Sequence, residues 1–296
     1  MQRARARLLA DIRAYFREVG VMEVETPICS AHASTDPVLD SFSTSYTGPE
    51  APAGRRLYLH TSPEFPMKRL LAADSGPIYQ ICKVFRNGES GRWHNPEFTL
   101  LEWYRPGFDL HQLMDEVAAM INTLLPEPIS VERVGYGELF QRHLGIDPHH
   151  SCSGELRAHA VKLGVSGAET MDLRDADAWL DLLLTHCIEQ HLGQDCLCFV
   201  YDYPASQAAL ARIRPGEPPV AERFELYMDG IELANGFHEL ASGAEQRMRF
   251  ESDLEQRRAG GGKQVPMDGY LLAAACRNSG CVLHHLPTCI VLQPGS

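Results

Sequence analysis

Phe85-Arg86-Asn87-Gly88-Glu89, followed after a short gap by His94-Asn95-Pro96-Glu97-Phe98-Thr99-Leu100-Leu101-Glu102-Trp103-Tyr104, is the stretch from which the fold can be read. Two β-forming runs, Ile78–Phe85 and Phe98–Tyr104, flank a polar loop that contains glycine and proline, which spells strand, loop, strand. Such a unit would hold Arg86 and Glu102 across a short antiparallel pair. An arginine fixed on a strand can grip phosphate oxygens through two parallel hydrogen bonds. Strand alternation puts Phe98, Leu100, Glu102 and Tyr104 on one face, an aromatic and carboxylate surface. A salt-bridged hairpin without a ligand would use the same residues, so this stretch alone leaves both readings open.

Outward from this unit, helices and strands alternate irregularly. Leu8, Ile12, Tyr15, Phe16 and Val19 form one face of an N-terminal helix that Gly20 stops. Its arginine-rich start (Arg3, Arg5, Arg7) resembles an organelle transit peptide, but Asp11 and Glu18 argue against that. Val21–Pro27 alternates and closes on proline, as an edge or interface strand would. Residues 43–56 read as a loop, and Leu57–His60 as a short strand. Thr61-Ser62-Pro63-Glu64 turns into a helix with Met67, Leu70 and Leu71 on its face. A carboxylate at that turn could grip an amine or serve as an ordinary helix cap. Leu110, Leu113, Met114, Val117, Ala118, Ile121 and Leu125 line a second helix, capped by Asp109 and ended by Pro126.

Residues 127–195 read as helical, without distinctive chemistry. Two further strands are expected at Leu197–Tyr203 and Phe224–Asn235, the latter folding on Asp229-Gly230 as a tight hairpin. That turn pairs Met228 with Ile231, Tyr227 with Glu232 and Glu225 with Ala234. Glu232 then shares a face with Tyr227 and Glu225, and two close carboxylates require either solvent or a cation there. Ser242-Gly243-Ala244-Glu245 opens a charged helix that ends at Gly260-Gly261-Gly262. Antiparallel strands interleaved with helices give an α+β fold: a mostly antiparallel β-sheet flanked by helices.

Composition narrows the function. The 296 residues are 44% hydrophobic and 22% charged, a globular balance. With 27 Lys+Arg against 39 Asp+Glu the net charge is −12, which lacks the electrostatic footprint of a general nucleic-acid binder. No apolar run could span a membrane, and no secretory signal is recognisable, so a cytoplasmic protein is expected. The nine cysteines follow no framework and read as reduced thiols.

Taken together, these motifs resemble the catalytic core of the class II aminoacyl-tRNA synthetases. Within that family the resemblance is to the lysyl-tRNA synthetase-like ligases that modify elongation factor P with (R)-β-lysine. Gly20–Pro27 looks like motif 1, the dimer-interface strand, and Arg86–Glu102 looks like motif 2, the ATP hairpin. Thr61–Glu64 and Ile231-Glu232-Leu233-Ala234-Asn235-Gly236-Phe237-His238-Glu239-Leu240 resemble the amino-acid pocket and the metal-side strand of this branch. The likeness runs over roughly residues 5–274, so residues 1–274 are expected as a catalytic domain and 275–296 as an aberrant or replaced tail.

The resemblance implies ATP and Mg2+ as cofactors and a role for each matching residue. Arg86 would hold the α-phosphate and act as the catalytic residue. Asn87, Gly88 and Asn95 would line the nucleotide site, with Phe98 stacked on adenine. Glu64, Tyr104 and Glu239 would position the substrate amines, Ser62 and Pro63 would shape that pocket, and Glu102 would add a carboxylate toward the same substrate. Glu232 and Leu233 would contact ATP, with Glu232 a magnesium ligand. A lysyl-tRNA synthetase carries an anticodon-binding barrel before its core. Here motif 1 begins at Gly20, which with the acidic balance points to a protein acceptor, elongation factor P, rather than tRNA. Motif 1 also implies a homodimer.

Two departures from the family pattern stand out. Motif 2 usually reads Arg-x-Glu, but the third position here is Gly88, so Glu89 or backbone must contact the adenine edge. Motif 3, a glycine-rich strand leading to an Asp-Arg pair on a helix, is expected after Met267–Ala274, yet the residues that follow contain neither. The sheet is therefore expected to lack a central strand. Cys276, Cys281, His284, His285 and Cys289 could instead be zinc ligands, although their spacing fits no standard site. Alternative functions are a stand-alone amino-acid-activating relative and a non-catalytic synthetase-like binding protein.

Overall fold

The computed structural model describes residues 2–91, 94–173, 175–278 and 288–292, with 275–278 and 288–292 as backbone only. The chain divides into two compact units, Met1–Phe108 with Glu239–Ser296, and Asp109–His238. In chain order the first unit holds α1 (Gln2–Glu18), β1 (Met22–Glu23), β2 (Cys29–Ser30), β3 (Ser43–Tyr46), β4 (Arg55–Leu59), α2 (Glu64–Leu71), β5 (Ile78–Phe85) and β6 (Glu97–Arg105). The second holds α3 (Leu110–Leu124), β7 (Ser130–Gly135), α4 (Tyr136–Leu144), α5 (Ser153–Lys162), α6 (Ala176–Leu183), β8 (Cys196–Pro204), β9 (Ile213–Arg214), β10 (Val220–Met228) and β11 (Ile231–His238). The chain then returns to the first unit with α7 (Gly243–Ala259), α8 (Gly269–Asn278) and β12 (Thr288–Leu292). The α+β class expected from the sequence is the one observed.

In the first unit, β5 and β6 pair antiparallel from Ile78↔Tyr104 to Phe85↔Glu97, so the strand–loop–strand reading holds. β1 joins the outer edge of β5 in parallel, and β12 pairs antiparallel with β6, Thr288 opposite Arg105 and Leu292 opposite Leu101. The expectation of a sheet without a strand at this place is thereby corrected. Thr-Cys-Ile-Val-Leu is a β-forming run, and β6 supplies the hydrogen bonds it needs. The zinc reading of the tail falls on side chains outside the described residues. A smaller sheet in the order β2-β4-β3 includes Ser43–Tyr46, which corrects the loop expected for residues 43–56; the strand is polar and each of its residues is exposed. Phe16 of α1 packs on this framework, stacked on Tyr79 at 4.3 Å and edge-on to Trp103 at 5.3 Å. Of the expected α1 face only Ile12 and Phe16 are buried.

The second unit is a sheet in the order β11-β10-β8-β7, with β9 on β10, and helices packed over it. Val134, Tyr136, Phe140, Leu156, Trp179, Leu180 and Val200 belong to its core. Asp109 caps α3 as expected, accepting from Gln112 N while Gln112 returns the bond. β7 corrects the helical reading of residues 127–195: it pairs in parallel with β8, more than sixty residues later, so nothing local announces it. The Asp229-Gly230 turn docks on the loop before β8, with Asp229 N donating to Gly193 O and Gly230 N to Leu192 O, both at 2.8 Å.

Gly193 has φ +67°, and a Cβ there would lie 2.5 Å from Tyr227 O. Gly20, at φ +72°, has open space around it. We expect Gly193→Ala to lower stability by about 2 kcal/mol or more and Gly20→Ala by only about 1 kcal/mol, read by urea unfolding. Equal losses would mean that the close approach at Gly193 is unimportant.

Candidate active site

β6 lies between β5 and β12, and Leu100, Leu101, Glu102, Trp103 and Tyr104 are all at most 5% exposed. A carboxylate on such a strand loses nearly all of its hydration. Glu102 is accordingly pushed up to about 8 by burial first and by Glu64 second, against the opposing effects of Tyr104, Ser62 and Lys68. Tyr104, two residues on and on the same face, donates to Glu102 Oε1 at 2.7 Å. Oε2 of Glu102 is buried without a hydrogen-bond partner among the described residues. The register places Gln80, not Arg86, opposite Glu102, because Arg86 lies beyond the paired part of β5. Gln80 in turn accepts from Thr26, at 2.9 Å.

α2 delivers the second carboxylate. Ser62 Oγ accepts from Glu64 N at 3.0 Å, so the Ser62-Pro63 turn fixes the first helical residue. Pro63 is buried and rigid, and Glu64 sits in the first turn, where the helix dipole favours a negative charge. One turn later, Lys68 bonds Glu64 Oε1 at 2.5 Å and Glu239 Oε2 at 2.6 Å. The sequence reading passed over Lys68; a Glu-to-Lys step of four residues on a helix is the signal that points to it. Burial pushes Glu239 up to about 7, an effect that Lys68 opposes and Glu64 adds to. Burial alone would lower Lys68, but Glu239 and Glu64 outweigh it and raise it. Glu239 Oε1, like Glu102 Oε2, is buried and has no partner among the described residues. The first unit therefore gathers Ser62, Pro63, Glu64, Glu102, Tyr104 and Glu239 as expected, and adds Lys68. Unfilled acceptors of this kind suit an ammonium group.

Arg86 leaves β5 with its guanidinium 5.0 Å from the Phe98 ring centroid and 3.5 Å from Glu89. Asn87 and Gly88 follow, Gly88 in the left-handed region at φ +90°. Asn95 lies on the exposed loop before β6. The start of this loop is pinned from α7. Arg257, 3% exposed, donates to Asp36 O and Leu39 O and pairs with Asp40 at 2.5 Å, while Asn87 N donates to Asp40 O at 2.7 Å. A planar cation with several donors can hold one segment at several points, which lysine could not. No sequence motif marked Arg257; only the fold brings it to residue 40.

Glu232 and Leu233 belong to the second unit. The hairpin pairs Met228 with Ile231 and Tyr227 with Glu232 as expected, but a bulge follows, so Leu226 faces Ala234 and Glu225 faces Asn235. The expected Glu225–Ala234 pair is corrected by that extra residue on β11. Glu225 is also neither solvated nor free for a cation: it accepts from Tyr203 at 2.7 Å and Tyr227 at 2.6 Å, and pairs with Arg223. Glu232 is exposed.

Glu102 gives the first unit a pH signature. A native value of about 8 lies above the ordinary 4.5, so the folded state keeps a proton that the unfolded chain releases. The associated stability is complete below about pH 4.5 and is lost as pH rises toward about 8. We expect Glu102→Gln to gain on the wild type in urea midpoint progressively across that window. A constant difference between the two proteins would contradict this.

Residues 1–276 match the family of tRNA synthetases class II (D, K and N). The elongation factor P--(R)-beta-lysine ligase of Edwardsiella ictaluri (strain 93-146) is 51% identical over 270 residues, which cover 91% of this chain and 82% of that protein. The protein of the same name from Erwinia tasmaniensis shows the same identity over the same length and coverage. That from Yersinia enterocolitica is 50% identical over 286 residues, 96% of this chain and 85% of its own. With an α+β fold, the 78–105 strand pair and a family match that runs from residue 1 to 276, the chain belongs to the class II tRNA synthetases of the D, K and N group.

Proposed function

We propose that the protein is an ATP-dependent amino acid–protein ligase that activates (R)-β-lysine as its acyl-adenylate and transfers it to a lysine side chain of elongation factor P. The observation that carries this reading is the group of Glu64, Glu102 and Glu239, the last two buried and each with one oxygen that has no partner among the described residues, which suits a cationic amino-acid substrate. The printed names of the relatives supply the acceptor. Reaction begins when a substrate carboxylate oxygen attacks the α-phosphorus and pyrophosphate leaves. The acceptor amine then attacks the acyl carbon, and AMP leaves. No protein nucleophile is needed, so catalysis rests on positioning and charge neutralisation.

In this reading Arg86 holds the α-phosphate, and Asn87, Gly88, Asn95 and Phe98 receive the nucleotide. Ser62, Pro63, Glu64, Glu102, Tyr104 and Glu239 receive the amino acid, and Glu232 and Leu233 contact ATP. No group of three or more His, Cys, Asp or Glu among the described residues could cage a metal. An exposed carboxylate such as Glu232 still fits magnesium, which is held through one or two carboxylates and the phosphates. When bound, the ion would neutralise phosphate charge. A cytoplasmic homodimer belongs to the same reading, since β1 is an edge strand with Met22 and Glu23 exposed. Among the described residues no helix is long and apolar enough to cross a membrane.

ATP–pyrophosphate exchange with (R)-β-lysine and L-lysine, run beside intact-mass analysis of elongation factor P, tests the proposal. Exchange together with a gain of one lysyl unit is expected. Absence of exchange from folded protein would end it and leave a non-catalytic, synthetase-like binder. Arg86→Ala is expected to slow exchange by about 100-fold or more while leaving lysine binding by calorimetry unchanged. A parallel loss of lysine affinity would count against a role confined to phosphate.

A further inference from the structure

Lys68 is a buried cation that the reaction proposed above does not use. Its side chain is 13% exposed, and that of its partner Glu239 is 3% exposed. It takes one oxygen from each of two carboxylates that come from distant parts of the chain, Glu64 Oε1 on its own helix and Glu239 Oε2 just after β11. Among the described residues, Oε1 of Glu239 and Oε2 of Glu102 are buried without a hydrogen-bond partner. Three neighbouring groups are otherwise engaged. Cys82 on β5 is held as a thiol by burial and by Glu102, Tyr104 is spent on Glu102, and Arg69, next on α2, pairs with Asp268.

We propose that Lys68 is a positioning residue for the amine substrate. By holding one oxygen of Glu64 and one of Glu239, it offsets their charge and keeps both carboxylates aimed, and leaves Glu239 Oε1 as the acceptor that a primary ammonium meets. The inference rests on the amino-acid pocket described above and adds the residue that organises it. The physical reason is mutual repulsion. Carboxylates gathered out of water take up protons unless a cation offsets them, and a protonated carboxyl is a poor receptor for an ammonium group. A resident lysine settles that electrostatic problem before the ligand arrives, so the ligand need not expel protons or reorient side chains on binding.

Lys68→Met and Lys68→Arg separate this role from simple packing. Binding of (R)-β-lysine and L-lysine is followed by calorimetry from about pH 6 to about pH 9, and the side-chain carboxyls are titrated by NMR in carbon-13 glutamate-labelled protein, assigned with E64Q and E239Q. For Lys68→Met we expect affinity at neutral pH to fall about tenfold or more and to recover at alkaline pH. The carboxyl titrations should move up by about one unit or more, with Lys68→Arg close to wild type. Unchanged or tighter binding in Lys68→Met would overturn the proposal, because Lys68 would then be a bystander or a competitor for the pocket. So would a loss of affinity that persists at alkaline pH with carboxyl titrations unmoved, which is the signature of packing alone. If the wild type binds neither lysine, the ligase reading fails. The carboxyl titrations then still decide the role of Lys68: upward displacement supports it and unchanged titrations overturn it.

Discussion

β6 runs with strands on both edges and side chains covering both faces, and it carries a glutamate. Everything else in the first unit's site answers to that arrangement. Water cannot screen Glu102, so Tyr104 is spent on one of its oxygens, and Glu64, a second negative charge nearby, makes its ionised form still less favourable. Glu239 brings a second buried carboxylate, and Lys68 is drawn into the cluster with bonds to Glu64 and Glu239. Removing one partner from a buried pair of this kind typically costs about 3–5 kcal/mol, whereas an apolar replacement of the whole cluster would often be neutral or stabilising. A fold has no structural need for such a group, which is why its unfilled oxygens are the strongest physical indication of a ligand.

The second unit offers a contrast within the same molecule. Glu225 is also buried, but it is fully engaged by Tyr203, Tyr227 and Arg223, and the Arg223 guanidinium lies over the Tyr203 ring at 4.6 Å. A polar network whose central carboxylate is satisfied rigidifies its surroundings and fixes a strand pair. One with unfilled acceptors is poised to take a partner. Identical residue types thus serve different ends according to how many of their hydrogen bonds the fold itself completes. Across the bulge from Glu225, Glu232 is exposed.

Positioning reaches the motif-2 loop by another route. Arg257 on α7 ties down three points between residues 36 and 40, and Asp40 receives Asn87 N. A segment without regular structure is thereby made a fixed support for the residue beside Arg86. Such support from outside the motif is what a site that works by geometry requires, because a side chain on a loop is only as well placed as the backbone beneath it.

Local chemistry determined much of this protein. The β5–β6 strand pair, the Asp109 cap, the Ser62 turn into α2, the Asp229-Gly230 hairpin and the stop at Gly260 are each set by residues within a few positions, so the sequence by itself was enough to read them, along with the α+β class. Other features depended on partners far along the chain. β7 exists because β8 offers it hydrogen bonds, and polar β3 because β4 does the same. The bulge in β11 moved one cross-strand pair, Arg257 found Asp40 across more than two hundred residues, and Lys68 acquired meaning only when Glu239 arrived beside it. Periodicity and turn residues record a segment's own preferences. Burial, charge pairing and strand register belong to pairs of segments, and only the tertiary structure decides which pairs meet.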